Sequence, residues 1–568
     1  MEPGWSQNLP ERPITVNLKE VTVSQALTQI NALEGIRLSY NPDHFSHGGL
    51  LSRSFQNQPL DEVLEVLLGT NFSYKYRGSY VIIQPKNNEV KKHTVKLSGA
   101  VKDAQTGKVI KDATIYEVNK LNATLTDDRG HFDLVVSAKT DYATFAISRE
   151  HYQDTIIRVQ NISEMSVSLK PVKNEKIRIV DRFEIETKKL VQFFTPKQSH
   201  KNVRNVSMDE ERFIQFSVVP MVGTNGTLSG KIKNNISINL LAGYAHGLNG
   251  VELGGVFNID RKEMNGVQIG GFGNATGGES HGVQLGGFIN TTKGYTEGVQ
   301  VAGFFNLVTD SIKGAQGAGF VNLSKKMDGV QAAGFVNLST GKVKGVQAAG
   351  FTNVSKEVKG AQLSGFLNMA KETEGVQVSG LLNVTKKLRG IQLGIINIAD
   401  TVERGVPIGL FSFVRKGMHQ LAIEHNEFMP LNVTFRSGVP RFYSIMSAGI
   451  DPSKENLWNY GLGLGTQLRL KDKWYGNFEL VAHHLLNPDR DMEEDHMNLL
   501  NRLNFNVGYQ LAKHLSLNAG PVLNLYLTNI YNPSTDTYGD IKRSGFYEKT
   551  SDNLYILAWV GYAVSVRF

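Results

Sequence analysis

Apolar and polar residues alternate along most of the chain, and copies of one short pattern fill its middle. From Gly250 to about Phe413, eleven copies of a pattern such as "GVQLGGFIN" follow one another every 15 or 16 residues. In the copy at 328–338, every second residue is apolar, and the intervening positions include Gln331 and Asn337. A period of two is typical of a β-strand, and a fixed repeat indicates one structural unit used many times.

Two architectures fit this repeat. A copy can form one strand of about 11–13 residues, long enough to cross a membrane when tilted, with tight turns near Lys325-Lys326 and Gly341-Lys342. Alternatively, the copies coil into a β-solenoid in which Asn and Gln stack in ladders and the apolar residues form a dry core. The regions on either side of the repeats favour the membrane strands.

Long alternating runs flank the repeats, at 236–244, 462–470, 515–528 and 556–568. The last run ends in Phe568, which resembles the C-terminal signature of outer-membrane barrels. We therefore predict a mainly β protein in which residues 212–568 form a transmembrane antiparallel β-barrel of about 20 strands, with the repeats at 250–413 among them. A barrel of that width encloses a lumen that holds water or a plug.

The polar side chains of the repeats would face this lumen in two rings. The candidate luminal residues are Gln268, Gln284, Gln300, Gln316, Gln331, Gln347, Gln362, Gln377, Asn290, Asn306, Asn322, Asn337, Asn353 and Asn368. In this arrangement, Phe335 and Phe351 share the Gln and Asn face and pack beside small residues.

Residues 10–86 precede the barrel and predict a small α+β domain in the order strand, helix, two strands, helix, two strands. Ser24 is the expected N-cap of the first helix. The segments "ITVNLKEVTVSQALTQI" and "PLDEVLEVLLGTNFSYKYRGSYVII" resemble the secretin and TonB short N-terminal domain. The resemblance implies a periplasmic, non-catalytic interaction domain, often placed to contact an anti-sigma regulator.

Residues 94–172 contain short alternating runs between polar turns and predict a β-sandwich of about seven strands. Gly99, Thr106-Gly107 and Thr126-Asp127 belong to a pattern that resembles the carboxypeptidase regulatory-like domain, which carries no peptidase chemistry. The Asp127-Asp128 pair is interpreted as a solvated turn. Residues 173–211 form a charged linker without a plug-sized domain, which argues against energised TonB-dependent import.

Composition narrows the function further. The chain has no Cys, which excludes disulfides and thiolate metal sites. A net charge of +8 over 568 residues, without a basic stripe, does not indicate nucleic-acid binding. No apolar run of about 18 residues occurs. No export signal opens the sequence, so the expectation is either a cytoplasmic protein or a signal that has been removed.

One acidic cluster is a candidate divalent-cation site, or else a solvated loop. It comprises Asp489, Asp491, Glu493 and Asp495 and follows His483-His484. No nucleophile elbow, phosphate loop or metalloprotease motif occurs, so we predict neither an enzyme nor a cofactor.

The whole arrangement resembles the surface-repeat outer-membrane proteins that carry two small periplasmic domains. We therefore expect a non-enzymatic barrel in the outer membrane of a Gram-negative cell, in contact with outer-membrane lipid, that acts as a channel or as a membrane scaffold. Residues 10–172 would lie in the periplasm and contact a protein partner. The alternative is a surface-displayed β-solenoid adhesin held by a smaller C-terminal barrel of about 8 to 10 strands. A third hypothesis is a cell-surface signalling component.

Overall fold

The computed structural model describes residues 9–45, 49–77, 80–86, 93–119, 121–138, 142–172, 185–207, 209–453, 457–487, 497–532, 536–551 and 554–568. The chain divides into two compact units, Met1–Val95 with Ser137–Ala143, and Lys96–Val136 with Thr144–Phe568. Strands are the main element of both units. No helix in the described ranges is long and apolar enough to span a membrane.

The first unit holds the predicted α+β domain, and the predicted order of elements is confirmed. These elements are β1 (Pro13–Val21), α1 (Val23–Asn31), β2 (Arg37–Ser39), β3 (Leu51–Pro59), α2 (Leu60–Leu68), β4 (Phe72–Arg77) and β5 (Tyr80–Pro85). Strand β1 pairs with β3, and β2, β5 and β4 form a second sheet. The N-cap of α1 is Thr22 rather than Ser24, because Thr22 and Gln25 bond to each other's backbone N–H in a capping box.

The β-sandwich region contains seven strands in two sheets. The strands are β6 (His93–Asp103), β7 (Thr114–Glu117), β8 (Ala123–Leu125), β9 (His131–Ala138), β10 (Tyr142–Ser148), β11 (Thr155–Gln160) and β12 (Ile162–Leu169). One sheet has the order β11-β10-β7-β8 and the other β12-β6-β9. The Asp127 carboxylate accepts hydrogen bonds from the backbone N–H groups of Arg129 and His131, both at 2.8 Å, so it closes a turn.

A short helical connector joins this region to the repeats and fixes their relative position within the second unit. Its described part contains α3 (Lys189–Phe194) and α4 (Lys197–Asn205). The Asn205 amide donates to the Asp112 carbonyl at 2.5 Å and to the Thr114 hydroxyl at 2.9 Å. Tyr116 of the sandwich also shares an apolar cluster with Ile232 of the first coils. The sandwich therefore lies at the start of the repeat region.

Residues 210–414 form a stack of strands that pair in parallel from one coil to the next, apart from one short antiparallel strand near its start. They are β13 (Glu210–Val219), β14 (Val222–Gly223), β15 (Ile232–Asn239), β16 (Ala242–Ala245), β17 (Gly247–Gly254), β18 (Phe257–Asp260), β19 (Met264–Gly270), β20 (Gly273–Thr276), β21 (Ser280–Gly286), β22 (Ile289–Thr292), β23 (Thr296–Ala302), β24 (Phe305–Ala318), β25 (Val321–Ala333), β26 (Val336–Ala349), β27 (Thr352–Ser364), β28 (Leu367–Ser379), β29 (Leu382–Leu393), β30 (Ile396–Ile408) and β31 (Phe411–Val414). From β15 onward, each copy pairs in parallel with the next copy.

This pairing makes each repeat one coil of a β-solenoid, so the prediction of about 20 antiparallel barrel strands is wrong. Gln331 pairs with Gln347, and Asn322 with Asn337, so identical positions stack on one another. The segment at 340–344, where a hairpin turn was predicted, stays in the parallel strand β26. Stacking in register pairs the backbone N–H and carbonyl groups of neighbouring coils and places identical side chains together. A hairpin would instead reverse the chain at every copy.

The last part of the chain forms an antiparallel sheet. Its strands are β32 (Met418–Asn426), β33 (Leu431–Val439), β34 (Phe442–Ile450), β35 (Trp458–Lys471), β36 (Trp474–Leu486), β37 (Asn498–Ala512), β38 (Leu515–Thr528), β41 (Tyr547–Ser551) and β42 (Leu554–Arg567), while β39 (Tyr531–Asn532) and β40 (Thr537–Tyr538) form a small hairpin. Strand β32 pairs with β33 and also with β42. Strand β42 pairs with β38 along one edge and with both β32 and β41 along the other. The strands β32–β38 and β42, called the eight-stranded sheet below, therefore each pair on both edges.

The repeat glycines are required by the close approach of successive coils. Gly329 has a φ of +134°, and a Cβ added there would lie 2.0 Å from the carbonyl oxygen of Gly314 in the preceding coil. At Gly317 the nearest atom to an added Cβ is 3.9 Å away, in the Val301 side chain. The two positions therefore differ in whether a methyl group fits.

We expect Gly329→Ala to destabilise the solenoid by about 1–3 kcal/mol, because Ala must adopt a strained φ and displace the neighbouring coil. Gly317→Ala is the matched control and should leave stability nearly unchanged. The measurement is thermal unfolding of the purified full-length protein, followed by circular dichroism. Equal melting temperatures for the two variants would contradict the assigned coil packing.

Candidate functional site

The predicted luminal residues lie inside the solenoid, where they form two hydrogen-bonded ladders. All of the predicted residues are buried, namely Gln268, Gln284, Gln300, Gln316, Gln331, Gln347, Gln362, Gln377, Asn290, Asn306, Asn322, Asn337, Asn353 and Asn368. Gln331 Nε2 donates to Gln316 Oε1, and Gln347 Nε2 donates to Gln331 Oε1, both at 2.8 Å. These side chains bond to one another, in place of the predicted rings that face water.

The Asn ladder runs beside the Gln ladder and also ties the two flat faces of each coil together. Asn337 Nδ2 donates to Asn353 Oδ1 at 2.9 Å and to the carbonyl of Ala348 at 2.7 Å. Each Asn amide therefore forms hydrogen bonds both to the Asn of the next coil and to the opposite flat face. Because a buried amide without a partner is costly, every rung depends on its neighbours.

The phenylalanines predicted to share the Gln and Asn face lie on the outside. The alternation breaks at Gly334, where the coil turns a corner, so Phe335 points outward although Gln331 and Asn337 point inward. Seven such rings stack along one edge of the solenoid, Phe272, Phe288, Phe304, Phe320, Phe335, Phe351 and Phe366, with centroids 4.8–5.1 Å apart. Phe335 is 38% exposed.

Two buried acids begin the Gln ladder. Gln268 Nε2 donates to Glu252 Oε2 at 2.8 Å and to Asp260 Oδ2 at 2.9 Å. Burial raises the pKa of both carboxyl groups, and the adjacent Glu252 charge raises the pKa of Asp260 further. The pair therefore binds a proton more tightly than two separate acids in water do.

A second buried charge cluster lies on the inner side of the eight-stranded sheet. Arg436 donates to both carboxylate oxygens of Glu479, at 2.8 and 2.9 Å, and Tyr443 donates to the same carboxylate at 2.8 Å. Arg567 lies 3.3 Å from Glu479, and Arg502 donates to Glu424 at 2.9 Å.

Three guanidinium groups thus face two carboxylates, and these Arg side chains are at most 2% exposed. The sequence analysis did not single out these residues as a group. Their signal is a charged residue at a polar position of an alternating run, such as Glu479 between Phe478 and Leu480.

The outer side of the same eight strands is apolar. Leu421, Val433, Trp474, Leu480, Val507, Leu517, Val560 and Val564 are each 46–66% exposed. Trp559, which shares the polar side of its strand, is buried, and its Nε1 donates to Glu427 at 3.0 Å. The sheet therefore has its polar and charged groups inside and its apolar groups outside.

The candidate cation site at Asp489, Asp491, Glu493 and Asp495 lies outside the described residues. Within the described ranges, no three His, Asp or Glu residues are grouped to hold a metal ion. His483 is buried and lies 3.1 Å from Asn459 Oδ1 through its Nδ1.

Comparisons with family models, with curated proteins and with solved structures found no match. The resemblances of residues 10–86 and 94–172 to known domains therefore stay predictions.

We expect Asp260→Asn to stabilise the solenoid by about 1–3 kcal/mol at about pH 7. The substitution removes a buried acid, and the Asn side chain has the same shape and can still accept a hydrogen bond from Gln268. The folded chain retains a proton that the unfolded chain releases above about pH 4, so stability falls as the pH rises through that range. The gain should therefore shrink towards pH 4.

Asp310→Asn is the matched control, because Asp310 is an exposed acid 3.4 Å from Lys325 on the solenoid edge. It should change the melting temperature little at either pH. A loss of stability in Asp260→Asn at neutral pH would show that the acid itself stabilises the ladder.

Proposed function

We propose that the protein is a non-enzymatic membrane scaffold, anchored in the outer membrane by its eight C-terminal strands. In this proposal the strands β32–β38 and β42 close into a barrel. The pairing of β42 with β32, from Ala422 and Arg567 to Asn426 and Ala563, supports closure. Closure leaves no free strand edge in the bilayer, where an unpaired backbone group is costly.

The single observation that carries the proposal is the reversed polarity of these strands. Glu479 is 1% exposed and bonded to Arg436, while its neighbour Leu480 is 56% exposed. In water, a sheet with this outer face would aggregate, and its buried charges would gain little from being dry. In a bilayer, the same arrangement places the apolar side chains in lipid.

An anchor fits this sheet better than a wide channel. The interior of an eight-stranded barrel is just wide enough to be filled by side chains. Here, Arg436, Glu479, Arg502 and Tyr526 are buried in that space. We therefore propose a scaffold rather than the wide pore that a barrel of about 20 strands would enclose.

The order of the chain supports a solenoid on one side of the proposed barrel. Residues 418–426 enter the sheet directly after the last coil and pair with the end of β42, where Phe568 bonds to Leu421. The sandwich lies at the other end of the solenoid, as its contacts to Ile232 indicate. We propose that this side is the periplasm and that residues 10–172 contact a protein partner there.

A surface adhesin is the second candidate, and the solenoid architecture favours it. An adhesin would display the coils outside the cell, with the eight strands as a small anchor. In that case the sandwich would also lie at the cell surface, because it is attached to the first coils.

We expect Leu480→Arg to weaken insertion by about 2–4 kcal/mol, because Leu480 is the central residue of β36 and an Arg there would face the middle of the bilayer. Ile156→Arg is the control, since Ile156 is an equally apolar side chain, 69% exposed on the sandwich. Folding into phospholipid vesicles is followed by heat-modifiable migration on gels. A Leu480→Arg protein that inserts normally would contradict the anchor.

The side of the membrane on which the solenoid lies is tested with Lys326→Cys and a membrane-impermeant maleimide. The chain has no Cys of its own, so the introduced residue is the only thiol that can be labelled. Lys326 is exposed on the solenoid edge. We expect no labelling of intact cells and full labelling after the outer membrane is permeabilised. Labelling of intact cells would favour the adhesin.

A further inference from the structure

We propose that the solenoid lies along the membrane with its Phe edge inserted into the inner leaflet of the outer membrane, so that its ligand is the lipid surface itself. The part that inserts is the apolar wedge, defined as the outward side chains from the repeat glycine of each coil, around the Phe corner, to the end of the second flat face. In one coil these are Val330, Ala332, Phe335, Val336 and Leu338. This inference rests on the membrane anchor proposed above.

The wedge is apolar on three sides. In the coil at 329–339, the first flat face carries Val330 at 47% exposure, the corner carries Phe335 at 38%, and the second flat face carries Leu338. A partner protein or a second copy would contact one flat face of the solenoid. Acyl chains surround an inserted edge on both faces and at its tip, which matches this distribution.

The depth of the wedge matches one leaflet. The five residues from Val330 to Gly334 extend along a strand for about 16 Å at about 3.3 Å per residue. Half of a hydrocarbon core of about 30 Å is about 15 Å. The charged edge of the solenoid would then lie at the level of the lipid headgroups.

The charge on that edge complements lipid phosphate. Residues 293–416 contain 15 Lys or Arg and eight Asp or Glu, a net charge of +7, and all of them lie in the edge segments between the flat faces. All eight acids pair with a base of a neighbouring coil, as Glu297 does with Lys313 at 2.8 Å and Glu374 with Lys359 at 3.0 Å. The unbalanced charge is therefore basic and faces the anionic headgroups.

The wedge also continues into the apolar outside of the eight-stranded sheet. The last coil packs on β33 and β34, where the backbone N–H of Ser412 donates to Ser444 Oγ at 2.9 Å. Phe413 of this coil and Val433 of β33 are 47% and 46% exposed. A bilayer that covers the outside of the sheet is therefore next to the end of the wedge.

The test places a single bimane-labelled Cys at Val330, Phe335, Lys326 or Leu480 of the full chain. Each labelled protein is folded into vesicles of phosphatidylcholine and phosphatidylglycerol, with or without lipids brominated along the acyl chain. We expect brominated lipid to remove most of the emission at Val330, Phe335 and Leu480. Aqueous iodide should instead quench the label at Lys326.

The outcomes separate the two proposals. If Leu480 is quenched by brominated lipid while Val330 and Phe335 are quenched only by iodide, the wedge is in water and the inference fails, although the anchor stands. If neither quencher reaches Val330 or Phe335 and these thiols cross-link between chains, a second copy covers the wedge and the inference also fails. If brominated lipid quenches none of the labels, both the wedge and the anchor are overturned.

Discussion

The pairing of side-chain amides inside the solenoid is the interaction on which the rest of the structure depends. A buried Gln or Asn must find partners for its N–H and carbonyl groups, and a coil of 15 or 16 residues offers them in the coils above and below. Gln347 is held by Gln331 and in turn accepts from Gln362, at 2.8 and 2.9 Å. These amides satisfy most of the interior, and a small apolar cluster of Val308, Ile312, Met327 and Val343 fills the rest. Most other apolar residues of the repeat point outward.

The same reversal of polarity appears in the antiparallel sheet, with charges in place of amides. Arg436 and Glu479 fill the inner side as an ion pair, and Leu480 and its counterparts cover the outer side. The parallel and the antiparallel sheets thus both carry polar groups on the inner side and apolar groups on the outer side. The proposed contact with a bilayer would account for both, since a large exposed apolar face is typical of a surface that meets a partner or a membrane.

The sequence was enough to predict much of this, but not the direction of the chain in the repeats. Alternation predicted strands, and the Gln and Asn side chains that it grouped together are both buried. Alternation does not indicate whether the next strand runs parallel or antiparallel, because both kinds of strand have a side-chain period of two. The corner at Gly334 was also not predicted, because it interrupts the alternation over 334–336 and leaves Phe335 outside, after which Asn337 faces inward again. Arg436 and Glu479 meet across 43 residues, a distance that no local pattern encodes.

The order of the parts along the chain follows from the need to cover the ends of a solenoid. A stack of parallel strands has a free edge at its first and last coil, and such edges recruit other strands. At the first coil, β14 lies antiparallel to β13, and the sandwich and connector pack beside it through Tyr116 and Asn205. At the last coil, the Ser412 N–H bonds to Ser444 of the eight-stranded sheet instead of to a further repeat. Each neighbouring domain thus ends the stack as well as performing its own role, and a solenoid cut free of both would have two open edges through which copies would pair end to end.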